Sequence, residues 1–279
     1  MFFAAFWGIG IFILFVFIKA NARTKKLSKY APSGTMPGES FEAMSYLLSA
    51  LKYNPDLLNT FMMKWISNKN VEMETIARKI GRLEINEQRI KLNAAPKTYE
   101  GDVERMFFEL IVKAFEQSQQ DTLSVGDFQR YVSASREKTE IINHHKKISM
   151  NYCYQRGWVH DPNARRGNEK VLTAEGQKLY NEILGFGSFL YNRSFLEQKD
   201  EEYLPLLNNF LIFAELLGIT SKFQKGFSRS DPWYEEIPGF RYTRSHFYYT
   251  PSSSSSSSGS GSSSGGGGGS SSGGGGGTR

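Results

Sequence analysis

The chain has 279 residues, 39% hydrophobic and 14% aromatic, which is enough for one or two packed cores and too apolar for disorder throughout. Its formal net charge of +6 is concentrated at one end: Lys19, Arg23, Lys25, Lys26 and Lys29 all precede the first acidic residue, Glu39, so the remainder is nearly neutral. That distribution argues against a basic domain wrapped on a phosphate backbone, and the single cysteine, Cys153, excludes an intrachain disulfide and a thiolate metal cluster.

Residues 1–18, MFFAAFWGIGIFILFVFI, carry no charged side chain. As a helix, Phe2 to Ile18 would rise roughly 26 Å, short but sufficient for a hydrocarbon core of about 30 Å. Residues 1–19 are therefore expected to form a transmembrane helix. All nearby positive charge follows it, which places the N-terminus outside and the body in the cytoplasm, as a single-pass protein of the cell membrane. Ala20-Asn21-Ala22 offers an alternative as a signal-peptide cleavage site, but no positive side chain precedes the apolar run, so a retained anchor is the favoured reading. Lys19, Arg23, Lys25, Lys26 and Lys29 form a collar that fixes topology or meets anionic lipid.

Residues 20–38 read as a basic juxtamembrane linker broken by Pro32, Gly34, Pro37 and Gly38. A first unit is expected over 39–98. Ser40 is a candidate N-cap for a helix with Phe41, Met44, Leu47, Leu48 and Leu51 at helical spacing. Pro55 opens a second, with Leu58, Phe61, Met62 and Trp65 on one face. VEMETIA and QRIKLNA then alternate as strands do. Two helices followed by a two-stranded element outline a winged-helix unit.

A second α-rich, winged-helix-like region is expected over 99–250. Val103, Met106, Phe107, Leu110, Ile111, Ala114 and Phe115 share one helical face. Ser124 and Asp127 are candidate caps, and one long helix is expected from about Asp127 to Arg156. GWVHDPNARRGNEKVLT reads as strand, turn and strand, and Thr173 caps the helix after it. EEYLPLLNNFLIFAELLGI, interrupted by Glu215 and two asparagines, is expected to be a buried helix in preference to a second span. Residues 251–279 are a Ser/Gly-rich tail, expected to be disordered because it cannot bury apolar surface. The fold class expected is thus mainly α with small β wings.

The segments YAPSGTMPGESFEAMSYLL, LTAEGQKLYNEILGFGSFL and YLPLLNNFLIFAELLGI, in that order before a Ser/Gly-only terminus, resemble the cytoplasmic, C-terminal portion of the DUF2207 family of bacterial membrane proteins. That resemblance implies an extracytoplasmic β domain, a membrane span and winged-helix-like cytoplasmic parts of uncharacterised biochemical role. This sequence departs from the plan in lacking the ectodomain and further apolar spans; an upstream ectodomain missing from it and a shortened member are both open.

No phosphate-binding loop is found, and Gly185-Phe186-Gly187 falls inside a helical pattern, where close packing is the simpler explanation. His144 and His145 are adjacent, point apart on a helix and make a poor metal pair. Cys153 and His160 lack an orienting third group, so Cys153 reads as a small buried residue. No catalytic residue, metal site or cofactor site is expected, and no enzyme. Lys146 and Lys147 on the long helix, with Arg165 and Arg166 at the wing tip, are the candidate nucleic-acid contacts, joined by Arg136, Lys138 and Arg156 nearby. The near-neutral body and the anchor favour instead a membrane-anchored scaffold or protein-interaction module, with membrane lipid and a protein as partners. A membrane-tethered DNA-binding regulator is the alternative.

Overall fold

A computed structural model describes residues 27–80, 83–161, 171–192 and 206–224, excluding the side chains of 78–80 and 83–85. The apolar segment 1–19, Lys19, Arg23, Lys25 and Lys26 of the collar, Arg165 and Arg166, and the Ser/Gly tail lie outside these residues.

Capping chemistry sets the first helices. Ser40 has an extended backbone and its hydroxyl oxygen accepts from the Ala43 N–H at 3.1 Å, starting α1 (Phe41–Ala50). The Asp56 carboxylate accepts from the Asn59 N–H at 3.3 Å and starts α2 (Leu57–Ser67), so Pro55 sits just ahead of the helix. Strands β1 (Val71–Ile80) and β2 (Leu83–Leu92) pair antiparallel with Val71 opposite Leu92 and Ile80 opposite Leu83. After α3 (Asp102–Ser118), the short strand β3 (Thr122–Ser124) joins β2 through Arg89, Ile90 and Lys91. The sheet order is β1-β2-β3. The Arg89 guanidinium holds the third strand, donating to the Thr122 carbonyl at 2.6 Å and its hydroxyl at 2.8 Å.

The expected long helix over 127–156 is two helices, α4 (Val125–Ala134) and α5 (Arg136–Gln155). Ser135 between them is extended (φ −72°, ψ 126°), ending one helix while its hydroxyl oxygen accepts from the Glu137 N–H at 3.1 Å to start the next. A serine is a weak helix interior residue and a strong cap, and here it acts as the cap. Ser124 does the same for α4, accepting from the Asp127 N–H and donating its hydroxyl to the Asp127 carboxylate at 2.6 Å. Beyond α5, an isolated antiparallel bridge joins Val159 to Leu172, the root of the expected strand-turn-strand. Thr173 then caps α6 (Ala174–Asn192), accepting from the Gly176 N–H. Helices α7 (Leu207–Leu217) and α8 (Thr220–Gln224) complete the described chain. Eight helices and one three-stranded antiparallel sheet among the described residues make the protein mainly α with a small β part.

One continuous apolar core runs through these elements. Helix α1 packs on α5, and α2 packs on α7. Trp65, Phe61, Phe107, Phe128, Phe186 and Phe213 are fully enclosed, each stabilising the fold by roughly 1.5–3 kcal/mol through burial. α7 is buried on nearly every side and spans 11 residues, against the roughly 20 a membrane helix needs. No helix among the described residues is long and apolar enough to cross a membrane.

Residues 27–39 lie against the body as a strap. Leu27 is fully buried, the Ser33 N–H donates to the Gly185 carbonyl at 3.1 Å, and Tyr30 meets Tyr180 edge-on at 6.1 Å. The two glycines of α6 explain the close approach. A Cβ on Gly185 would lie 3.1 Å from the Ala31 carbonyl oxygen, and one on Gly187 would meet Leu217 and lie 2.9 Å from Leu27 Cδ2. The Gly185-Phe186-Gly187 run is a packing device.

Candidate functional site

The densest gathering of chemically active side chains is a buried polar network where α1, α2, α3 and α5 meet. Glu42, in the first turn of α1, is 2% exposed. Its carboxylate accepts from the Val103 and Glu104 N–H groups at 3.2 and 2.8 Å, so it supplies the N-terminal cap that Gly101 cannot. The Tyr46 hydroxyl, one turn along α1, donates to the same carboxylate at 2.6 Å. Burial pushes the Glu42 carboxyl above the usual carboxylate range, opposed by these hydrogen bonds. Burial and the adjacent carboxylate push the Tyr46 phenol up as well, keeping it a donor.

Glu104, fully buried, forms the second node. It accepts from Trp65 Nε1 at 2.9 Å, Lys64 Nζ at 2.8 Å and the Glu100 N–H at 2.7 Å. Lys64 also pairs with Glu100 at 2.8 Å, and the Glu100 carboxylate accepts from the Glu42 N–H at 2.9 Å. Glu42 and Glu104, on different helices, are thus tied together through Lys64, Glu100 and four backbone N–H groups, which satisfies buried charge as it must be satisfied.

His145 on α5 closes the network. Its ring stacks on Tyr46 at 4.8 Å, and Nε2 lies 2.8 Å from the Ser45 hydroxyl oxygen. A serine-histidine pair at this distance invites comparison with a nucleophile and its base. The proton arrangement is the reverse of what that chemistry needs: Ser45 donates its hydroxyl proton to the Glu42 carbonyl at 2.6 Å, so the ring N–H donates to Ser45. Both residues are buried, at 0% and 2% exposure. Burial, followed by the neighbouring His144 and Lys146, depresses His145 to about 4, so the ring is neutral at pH 7. The pair clamps α1 to α5.

The residues singled out from sequence fall apart in space. His144 is exposed while its neighbour is buried, as the helical spacing requires. Cys153 is fully buried, its thiol pushed up to about 12 by burial, while His160 is exposed. Lys29, Lys146 and Lys147 are exposed. Arg156, grouped with the candidate phosphate contacts, is instead engaged: it donates to the Glu39 carboxylate at 2.6 and 2.7 Å and lies 5.0 Å over the Trp158 ring. Arg136 pairs with Glu140 on its own helix at 2.9 Å. No group of three or more metal-ligating side chains occurs among the described residues.

Two open clefts flank Lys178 and Glu182 on the outer face of α6. One, of about 590 Å³, runs between that helix and Ala31 and Ser33 of the strap. The other, of about 450 Å³, is bordered by Glu39, Trp158 and Glu175. Sequence reasoning missed the Glu42–Glu104 network because each residue looks like an ordinary first-turn acid. The signal that could have found it is that Glu42 interrupts the apolar run Phe41 to Leu48 and stands one turn before a tyrosine.

Comparison of the chain with family models, curated proteins and solved structures gives no match in any of the three.

Proposed function

We propose that the chain is a membrane-anchored scaffold or protein-interaction module whose body is held close to the bilayer. The strap carries this reading. Leu27, eight residues beyond the charged end of the apolar segment at Lys19, is buried in the core between Gly187 and Leu217. Eight residues span at most about 29 Å fully extended, so an inserted segment 1–19 would keep the body within that distance of the headgroups. Lys19, Arg23, Lys25 and Lys26 fill the interval with positive charge suited to anionic lipid, and the exposed Lys29 follows just after it. The resemblance to the cytoplasmic part of the DUF2207 family agrees with this placement.

The order α3, β3, α4, α5 and the Val159–Leu172 bridge suits a winged-helix unit, and α5 would be its recognition helix. One stripe of that helix, Ile141, His145, Ser149 and Cys153, faces the core, leaving Lys146 and Lys147 exposed. That exposure favours membrane-tethered DNA regulation as the second reading, and the engagement of Arg156 by Glu39 weakens it.

The experiment is affinity capture after crosslinking of the full chain in its native membrane, alongside a chain lacking residues 1–18. Recovery of the full chain with membranes, release of the truncated one, and a reproducible protein partner are expected. Activity of a C-terminal reporter on the outer side would overturn the orientation. DNA binding that falls steeply with salt and is lost in K146E/K147E would replace the scaffold reading by the regulatory one.

A further inference from the structure

The strap fixes which end of the body lies nearest the apolar segment. Leu27 packs where α6 and α7 meet: a Cβ on Gly187 would meet Leu217 and lie 2.9 Å from Leu27 Cδ2. The turn between α1 and α2 reaches the same place, since the Tyr53 hydroxyl donates to the Leu217 carbonyl at 2.7 Å. Helix α8 starts just beyond, at Thr220, and its Lys222 Nζ lies 5.9 Å over the ring of Tyr191 near the end of α6. The C-terminal end of α7 is where the strap, the α1–α2 turn, α6 and α8 come together.

Three of these segments present a cation. Lys29 stands in the turn that the Tyr30 N–H closes on the Leu27 carbonyl at 3.0 Å, Lys52 precedes Tyr53, and Lys222 lies on α8; all three are exposed. The acids on the same stretches are occupied. Asp56 accepts from the Asn59 N–H and side-chain amide at 3.3 and 2.9 Å, and the buried Glu215 accepts from the Thr220 hydroxyl. Elsewhere several surface cations are matched: Lys113 by Glu137, Arg105 by Asp102 and Glu109, Arg156 by Glu39. Lys146 and Lys147 are exposed as well, but on α5, which the strap meets at its other end, Glu39. The first half of α6 exposes Glu175, Lys178 and Glu182, a net negative stretch that an anionic surface would repel.

We propose that the face carrying Lys29, Lys52 and Lys222 is a docking surface for anionic lipid headgroups, laying the C-terminal end of α7 against the bilayer. The proposal rests on the membrane-anchored reading and adds the orientation of the body to it. Chain length and charge select the same end independently: Leu27 lies no more than about 29 Å from an inserted Lys19, and positive charge gathers around it. Tyr191 under Lys222 adds the combination of aromatic ring and lysine head that suits a headgroup layer. Each lysine close to an anionic surface favours the docked arrangement by about five-fold, so three favour it by roughly one hundred-fold.

The test is quenching of a dye by headgroup-labelled lipid, with the full chain reconstituted in phosphatidylcholine vesicles with or without phosphatidylserine. Cys153 is buried, so the dye goes to the introduced thiol. S221C, beside Lys222, should be quenched more when phosphatidylserine is present, whereas A174C, about 20 Å back along α6 from Gly187, should not respond. The difference at 221 should vanish in K29E/K52E/K222E and at 1 M salt, where the Debye length falls to about 3 Å. It should persist in K69E/K97E/K178E, which makes the same charge change at exposed lysines elsewhere. Circular dichroism checks that each variant keeps its helices. Quenching at 221 indifferent to phosphatidylserine, equal loss in both triple variants, or a 221 dye that responds to duplex DNA and not to anionic lipid each overturns this surface. The anchored reading survives those results as long as the chain still floats with the vesicles. A native chain that floats with neither vesicle refutes the anchored reading and this surface with it.

Discussion

Replacing Gly101 with alanine should destabilise the protein by about 3 kcal/mol, through space and not through backbone conformation. Gly101 is the N-cap of α3 with φ −174° and ψ −170°, extended geometry open to any residue. A Cβ there would lie 2.6 Å from the Glu42 carboxyl carbon and in contact with Oε1. Something must shift, and the chain around Glu42 leaves little room because the residue is 2% exposed. A displaced carboxylate gives up its hydrogen bonds to the Val103 and Glu104 N–H groups, at about 1.5–3 kcal/mol each for a charged acceptor. The lower entropy of an unfolded chain with alanine offsets about 0.4–1 kcal/mol of that. The remainder is a large share of a total stability of about 5–15 kcal/mol. Urea unfolding of the full chain in detergent, followed by tryptophan fluorescence, should show a lower midpoint at unchanged slope. A double-mutant cycle isolates the cause: once E42A has removed the carboxylate, G101A should cost less than about 1 kcal/mol, a coupling of about 2 kcal/mol. Equal cost of G101A in both backgrounds would refute the reasoning.

His145 is held neutral by burial, with its pKa lowered to about 4, so its contribution is complete above the ordinary histidine value near 6.5 and is lost as pH falls through 4. Acidification from pH 7 to 4 should therefore remove about 3 kcal/mol, a slope that H145Q abolishes in urea melts across that range. Glu42, with its carboxyl raised, works the other way and should leave H145Q with a shallow gain on acidification. Glu104→Gln keeps the volume but turns one acceptor into a donor facing Trp65, Lys64 or the Glu100 N–H, and should cost about 3 kcal/mol. Glu137→Gln, at the exposed pair with Lys113, should cost under about 0.5 kcal/mol in the same assay. Gly187→Ala should cost about 1–3 kcal/mol by overpacking Leu27 and Leu217, and limited proteolysis should cut faster within 27–39 as the strap loosens.

Local rules carried most of the secondary structure. Ser40, Ser124 and Thr173 cap helices where their sequence positions suggest, and the alternation of VEMETIA and QRIKLNA marks both strands of the hairpin. Pattern reasoning failed where one residue had two local options. Ser135 stands in a run whose neighbours are good helix formers, and only its own cap bonds decide for a break. The buried acids failed for a different reason. Glu42 meets the start of α3, 61 residues away, and Trp65 reaches Glu104 across 39, so their burial depends on contacts that no window of sequence contains. Sequence indicated that carboxylates were plentiful; packing chose which would be enclosed.

The strap links Leu27, where the described chain begins, to the buried network. It enters the core at Leu27, crosses α6 through the Ser33–Gly185 hydrogen bond, and reaches α5 where Glu39 holds Arg156. α5 is in turn clamped to α1 by Ser45 and His145, and α1 holds α3 through Glu42. Leu27 and the Ser45–His145 pair are buried, Ser33 is half-buried, and Glu39–Arg156 is a charged pair beside the Trp158 ring, so the strap is held at several points along its length. On the proposed anchoring, a pull on the apolar segment would therefore load the same contacts that stabilise the fold. That makes R156A informative: it leaves the core intact, removes the last attachment of the strap to α5, and should raise backbone amide exchange over residues 34–40 while exchange in α1 is unchanged. Equal protection of the strap in R156A would mean that Leu27 and Ser33 suffice, and the Glu39–Arg156 pair would revert to an ordinary surface ion pair.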